Sequence, residues 1–215
     1  MGIRILYSDQ NLCICVKSVG ISSEGDGIPV MLKTVFPDHD IFPVHRLDQS
    51  VGGVMVYALN KDTASKLTTM FAGSEVQKEY LSVIPCIPDQ SEGIMTDWLY
   101  HDKKSNKTFV VKNERKGVKK AELAWILQKS TESDSGPLSL IRVGLHTGRS
   151  HQIRIQFASR KMSLVGDGKY GSRIKAPCIA LWSYRLAFRH PVTGEMLDFS
   201  WNPDKSVFPF CLFTF

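Results

Sequence analysis

Long apolar runs are missing from this chain. No stretch approaches the roughly 18 residues that a membrane-spanning helix needs, so a helical membrane protein is excluded. The start, MGIRILYSDQ, has no cationic stretch followed by an apolar run, and no secretory signal is visible. Leu6 stands where a myristoylation motif requires Ser or Thr. Cysteine is scarce and odd in number: Cys13, Cys15, Cys86, Cys178 and Cys211 lie in apolar contexts, which is no disulfide framework. Cys13 and Cys15 point to one face of a strand, but no second close pair completes a zinc site. The expectation is buried, reduced thiols in a cytoplasmic protein with no membrane partner. Also lacking are an internal repeat, a low-complexity linker, a Gly-x-x-x-x-Gly-Lys phosphate loop, a dinucleotide fingerprint, a His-Glu-x-x-His metal motif and a Gly-x-Ser-x-Gly elbow. NTPase, dinucleotide-dependent, metalloprotease and serine-hydrolase readings lose their support.

What is present is an ordinary globular composition with a basic excess. Hydrophobic residues make up 43% and charged residues 22%, which excludes a disordered or collagenous chain. The net charge is +6 on 215 residues. That excess has an address. Segment 101–120 carries Lys103, Lys104, Lys107, Lys112, Arg115, Lys116, Lys119 and Lys120 against only Asp102 and Glu114, a net +6 of its own. A solvated hairpin accounts for it equally well as a phosphate-contacting arm.

Hydrophobic periodicity places the elements. Residues 3–17 read as one strand or two short ones with a turn at 8–11, and 20–29 as a loop broken by Gly20, Gly25, Gly27 and Pro29. Residues 51–59 are apolar on both faces, which suits a doubly covered strand. Ala64, Leu67 and Phe71 form a helical stripe opened by Asn60 or Asp62 and closed at Gly73. Residues 78–83, 121–128, 138–145, 179–188 and 196–201 read as strands, with a hairpin loop at 130–137. In 152–157, Ile153, Ile155 and Phe157 alternate with Gln152, Arg154 and Gln156, which also predicts a strand with one polar face. The expected fold is mixed α/β of the α+β kind. It is a single domain over 1–215, with a large, mainly antiparallel mixed sheet flanked by few helices.

Three clusters carry more charge and hydrogen-bonding capacity than a core requires: His45-Arg46-Leu47-Asp48, Lys78-Glu79-Tyr80, and Thr147 to Arg154. Each alone fits a structural ion pair or packing. Asp48 stands where a polar loop enters an apolar strand, so it needs a partner to stay ionised. Arg154 is a plausible one, since a guanidinium lowers a carboxylate's pKa and aims it. An aimed, ionised carboxylate at a cleft is suited to act as nucleophile or base.

His45-Arg46-Leu47-Asp48, followed by a Gly-containing apolar strand, resembles the signature of RluA-type RNA pseudouridine synthases. The other pieces keep the family's order: residues 5–9, Lys78-Glu79-Tyr80, Thr147-Gly148-Arg149-Ser150-His151-Gln152-Ile153-Arg154, Val165-Gly166-Asp167, Tyr170-Gly171 and residues 186–195. The resemblance runs from about Ile3 to Pro203. It implies an isomerase that turns uridine into pseudouridine in ribosomal or transfer RNA, acts without cofactor or metal, and needs no protein partner, as a monomer. It assigns Asp48 as the catalytic carboxylate, Tyr80 as the ring on the uracil and Arg154 as the ion-pair partner of Asp48. Arg46 looks like the residue that fills the gap left by a flipped nucleotide. Arg149, His151, Lys103, Lys104, Lys107, Lys119 and Lys120 are the further RNA-contacting candidates. On this resemblance the expectation is a catalytic domain without the S4-like module some members carry. The chain departs from the family pattern at Lys17-Ser18, Gln49-Ser50-Val51-Gly52-Gly53, Gln156 and Arg160-Lys161-Met162. These departures bear on substrate choice, because Asp48, Tyr80 and Arg154 are all kept. They also motivate a rival: an RNA-binding protein or RNA chaperone on the same scaffold, without turnover.

Overall fold

A computed structural model describes residues 2–73 and 75–215. In chain order the strands and helices are β1 (Arg4–Ser8), β2 (Leu12–Lys17), α1 (Ile28–Val35), β3 (Phe42–Pro43), β4 (Gly52–Ala58), α2 (Lys61–Ala72), β5 (Gln77–Ile84), β6 (Glu92–Asp102), β7 (Lys107–Val111), β8 (Val118–Thr131), β9 (Leu138–Leu145), α3 (Gln152–Ala158), β10 (Leu181–Arg189) and β11 (Met196–Ser200). Short 3-10 turns lie at Gly168–Tyr170 and Phe210–Leu212. The mixed α+β class, strand-rich with few helices, is as the sequence led us to expect. The residues group into two compact units, each assembled from two chain segments: Met1–Lys78 with Trp182–Pro203, and Glu79–Leu181 with Asp204–Phe215.

In the first unit the strand order is β1-β2-β4-β10, with β11 beside β10 and β3 beside β4. All pairs are antiparallel except β4 with β10. Asp9 closes the β1–β2 turn, its Oδ1 accepting the N–H groups of Asn11 (2.7 Å) and Leu12 (2.9 Å). Every residue of β4 is buried, as its two-sided apolar pattern requires. Val54, Val56 and Ala58 pack with Leu12, Ile14, Leu67, Leu186, Phe188 and Leu197. Burying Leu67 contributes about 2 kcal/mol. Gly53 has φ +123, and a Cβ there would overlap the Ser183 backbone, so glycine is what lets β10 run against β4.

Helix α2 starts where the sequence places it. The Asn60 side chain accepts from the Thr63 N–H (2.9 Å), and Gly73 caps the other end. Asn60→Ala is expected to lower unfolding free energy by about 1 kcal/mol, read from urea denaturation midpoints. Helix α1 is a correction. Pro29 is not a loop breaker but sits in the first turn of this helix, where its missing N–H is harmless.

In the second unit the order is β5-β9-β8-β6-β7, an antiparallel meander. Half of segment 101–120 is strand: it contains the end of β6, all of β7 and the start of β8, which puts Lys119 and Lys120 on a strand. Residues 152–157 are the second correction. They form α3, with Gln152, Ile153, Arg154, Gln156 and Phe157 all buried. Over six residues a period of two and a period of 3.6 are hard to tell apart, and the polar positions are internal because each finds a partner. Gln152 Oε1 accepts from Thr147 Oγ1 (2.8 Å) and the Arg149 N–H (3.0 Å), while its Nε2 donates to the Glu122 carbonyl (3.0 Å). Of the cysteines, Cys13 and Cys15 are buried as expected, but Cys211 is exposed. No helix among the described residues is long and apolar enough to cross a membrane.

Candidate active site

Asp48 and Arg46 belong to the first unit; Tyr80, Arg149, His151, Arg154 and the basic segment belong to the second. Asp48 is half-buried at the head of the turn into β4, its carbonyl accepting from the Val51 N–H (2.9 Å). The loop around it is held on both sides. Ser23 Oγ donates to the Leu47 carbonyl (3.0 Å) and accepts from the Leu47 N–H (3.3 Å). Gln49 Nε2 donates to the Gly20 carbonyl (2.8 Å), and the Gly20 N–H donates back to the Gln49 carbonyl (2.8 Å). Beneath these loops lies Lys17, fully buried. Its ammonium donates to the carbonyls of Ile21 (2.7 Å), Ser18 (3.1 Å) and Gln49 (3.3 Å). Burial pulls its pKa down to about 8 and the Asp48 charge pushes it back up, leaving it protonated at neutral pH. The carboxylate therefore sits on a backbone fixed by charge-assisted hydrogen bonds. The sequence marked Lys17 only as a departure from a motif.

Flanking residues divide into inner and outer. Arg46 reaches outward, 65% exposed, with Glu24 Oε2 at 3.4 Å. His45 turns inward and stacks on Phe71 (ring centroids 4.4 Å apart), and its Nε2 accepts from the Val56 N–H (3.1 Å). Burial, aided by the Lys78 charge, lowers its pKa to about 3. A protonated ring would also turn this acceptor into a donor facing a donor. The unfolded chain takes up that proton near pH 6.5 and the folded one only near pH 3. Stability conferred by neutral His45 is thus complete above pH 6.5 and lost as pH falls toward 3, at up to about 1.4 kcal/mol per pH unit. Denaturation curves of wild type and His45→Gln, which keeps an acceptor, are expected to diverge by about 2 kcal/mol between pH 7 and pH 5.

In the second unit Tyr80 is buried on β5, paired across to Val143 of β9. Arg154 projects from α3 and grips Asp167: Nε to Oδ2 is 2.7 Å and Nη2 to Oδ1 is 2.8 Å. Both side chains are almost fully buried, and the Arg154 guanidinium carbon lies 5.0 Å from the Tyr170 ring centre. Asp167 is placed by the segment before it, where the Val165 N–H donates to the Val83 carbonyl of β5 (2.9 Å). The Tyr170 hydroxyl accepts the Thr108 N–H (2.8 Å) and is hydrogen-bonded to His151 Nδ1 (2.8 Å), with the imidazole tautomer setting the direction of that second bond. Burial raises the Tyr170 pKa. His151 occupies the left-handed region (φ 53) that starts α3. Arg149 is exposed, its Nε donating to the Lys120 carbonyl (3.0 Å). Lys103 and Lys104 are exposed in the β6–β7 turn, and Lys119 and Lys120 are exposed on β8, with Lys120 at 3.3 Å from Glu122. Lys107 lies 5.7 Å from the Tyr170 ring and 5.8 Å from the Phe109 ring. The second unit thus joins Arg154, Asp167, Tyr170, His151 and Thr108 in one network. Sequence order had marked Asp167 and Tyr170 as motif residues without giving them work. Among the described residues no group of three or more His, Cys, Asp or Glu is placed to hold a metal ion.

The sequence profile of RNA pseudouridylate synthases matches residues 32–159, more than half of the chain. The chain belongs to that family. Its members are isomerases acting on uridine in RNA. The dual-specificity RNA pseudouridine synthase RluA of Haemophilus influenzae is 26% identical over 93% of this chain and 93% of its own length. The tRNA pseudouridine synthase C of Vibrio vulnificus is 29% identical over 94% of this chain and 91% of its own. Among solved structures, human RNA pseudouridylate synthase domain containing 1 superposes with a TM-score of 0.81 at 20% identity, over 97% of this chain and 86% of that one, which establishes the shared fold.

Proposed function

We propose that this member of the pseudouridine synthase family isomerises specific uridines in ribosomal or transfer RNA through Asp48. One observation carries the reading. The span matched by the family profile, 32–159, contains Asp48, Tyr80 and Arg154 together, and each stands on backbone that hydrogen bonds hold in place. In this reading Asp48 supplies the reacting carboxylate, Tyr80 the ring that stacks on the uracil, and Arg154 the fixed cation that complements developing negative charge. The C1′–N1 bond breaks, the base turns, C1′ bonds to C5, the C5 proton leaves to solvent and N1 takes one up. No oxidant or reductant is needed. A base in a stack cannot turn, so the nucleotide must be extruded. Exposed Arg46 is the wedge for that step, and Arg149, His151, Lys103, Lys104, Lys107, Lys119 and Lys120 are the groups for holding the displaced strand.

The relative named a tRNA pseudouridine synthase supports transfer RNA as one substrate class, and relatives named ribosomal large subunit pseudouridine synthases support ribosomal RNA as the other. The protein acts as a cytoplasmic monomer in this proposal. Tritium release from transcripts carrying C5-labelled uridine tests it. Release from a tRNA or rRNA transcript is expected. Tight binding to those RNAs with no tritium released would replace the isomerase with the RNA-chaperone reading.

A further inference from the structure

The register of the meander fixes which side chains share its faces. Met95, Asp97 and Leu99 of β6 turn toward α3: Gln156 of that helix donates to Asp97 Oδ2 (2.8 Å) and to the Met95 carbonyl (3.1 Å). Thr108 of β7 turns the same way, donating to the Ser150 carbonyl (2.8 Å). The alternate residues therefore face away from α3. On that outer face Tyr100 of β6 stands directly across from Phe109 of β7, and Trp98 across from Val111 on one side and Lys120 of β8 on the other.

Two features of this outer face are unusual. Tyr100 is 37% exposed and Phe109 41% exposed, large rings left in water where no core requires them. Cations ring them. The Arg115 guanidinium carbon is 5.9 Å from the Tyr100 ring and the Lys107 ammonium 5.8 Å from the Phe109 ring. Gly117, at φ +84, brings the β7–β8 connection under Tyr100 without a side chain to cover it. The pair sits within the 101–120 segment, whose net charge is +6.

We propose that this outer face of β6 and β7 is an RNA-stacking surface in its own right, on which Tyr100 and Phe109 receive unpaired bases while Lys107, Arg115 and Lys120 hold the phosphates between them. The proposal rests on RNA being the substrate class. Charge selects a polyanion, and adjacent exposed rings select one that carries flat apolar faces at short intervals. Single-stranded RNA has both. An acidic protein would satisfy the charge but leave the two rings without a function. A stacking pair is tolerant of sequence, so the surface would hold single-stranded RNA flanking the modified uridine and not read it.

The test uses the full chain and two probes, a short single-stranded oligouridylate and heparin, a polyanion without bases. Tyr100→Val and Phe109→Val keep the strand preference of β6 and β7 while removing the rings. The double variant is expected to bind oligouridylate about 10-fold more weakly or worse, with heparin affinity and melting temperature unchanged. Equal affinity of the variant and wild type for oligouridylate, or a matching loss for heparin, overturns the proposal. A wild-type measurement stands apart from any folding defect: an oligonucleotide of 4-thiouridine, photo-crosslinked to the native protein, is expected to mark Tyr100 or Phe109. Crosslinks that avoid both rings also overturn it. If the protein releases tritium from uridine yet the rings prove silent, the stacking surface fails and the isomerase reading stands. Ring-dependent binding without turnover on any transcript gives the reverse.

Discussion

Asp48→Asn is expected to abolish turnover, by about 10⁴-fold, while leaving the fold and RNA affinity intact. The exchange is nearly isosteric, so any loss is chemical and not steric. The loop keeps contacts that the exchange leaves in place: Ser23 holds Leu47, Gln49 holds Gly20, and Lys17 holds three carbonyls. What disappears is negative charge and a nucleophilic oxygen. Single-turnover tritium release with enzyme in excess measures the step directly. A parallel gel-shift titration is expected to give the wild-type affinity, because the groups proposed to meet phosphate lie elsewhere. Retained turnover would remove Asp48 from the mechanism.

Arg154→Ala is the second large effect, and it should strike stability and activity together. Arg154 is 6% exposed and Asp167 1% exposed, and the two meet through a two-pronged contact in a setting where water cannot screen them. Removing the guanidinium strands a carboxylate in the interior, at a cost of about 3–5 kcal/mol. Arg154→Lys restores the charge but not the planar fork and should recover only part of that loss. The pair Arg154→Met with Asp167→Leu separates the two roles. With neither charge left, stability is expected to return toward wild type, while tritium release stays absent. Recovery of both by the apolar pair would make the ion pair purely a packing device.

Which parts of this design a reader of the sequence can recover follows from how local the physics is. The β4 strand was legible because its apolar residues run unbroken on both faces, and α2 because Asn60, the Leu67 stripe and Gly73 each report on neighbours a few positions away. Segment 152–157 was misread because Gln152 and Gln156 look like solvent-facing residues. Their partners, Glu122 and Met95 or Asp97, are distant in the chain, so no local pattern discloses that their amide groups are bonded inside. Helix α1 was hidden for a different reason: Pro29 disrupts a helix interior and favours a helix start, and only the hydrogen-bonded turn decides between them. The motif residues themselves were readable by family resemblance. That Arg154 grips Asp167 was not, since Gly166 and Asp167 reach it through a segment laid along β5. Lys17 shows the same limit. A lysine at the end of a strand reads as surface, and its complete burial depends on carbonyls from two separate loops.

The first unit closes only when residues 182–203 join residues that precede Glu79. Leu186, Phe188 and Leu197 come from that late segment, and they pack on Val54 and Val56. On a ribosome working from the N-terminus, the apolar side of β4 therefore emerges long before its covering partners exist. The whole of residues 79–181 must be made in the interval. Sequence-distant pairing of this kind slows folding and prolongs the exposure of a sticky strand. The nascent chain is most vulnerable to misassociation and to chaperone capture in that window. Stop codons between residues 79 and 181 would therefore release chains lacking the segment that completes this core, fit for degradation more than for partial function.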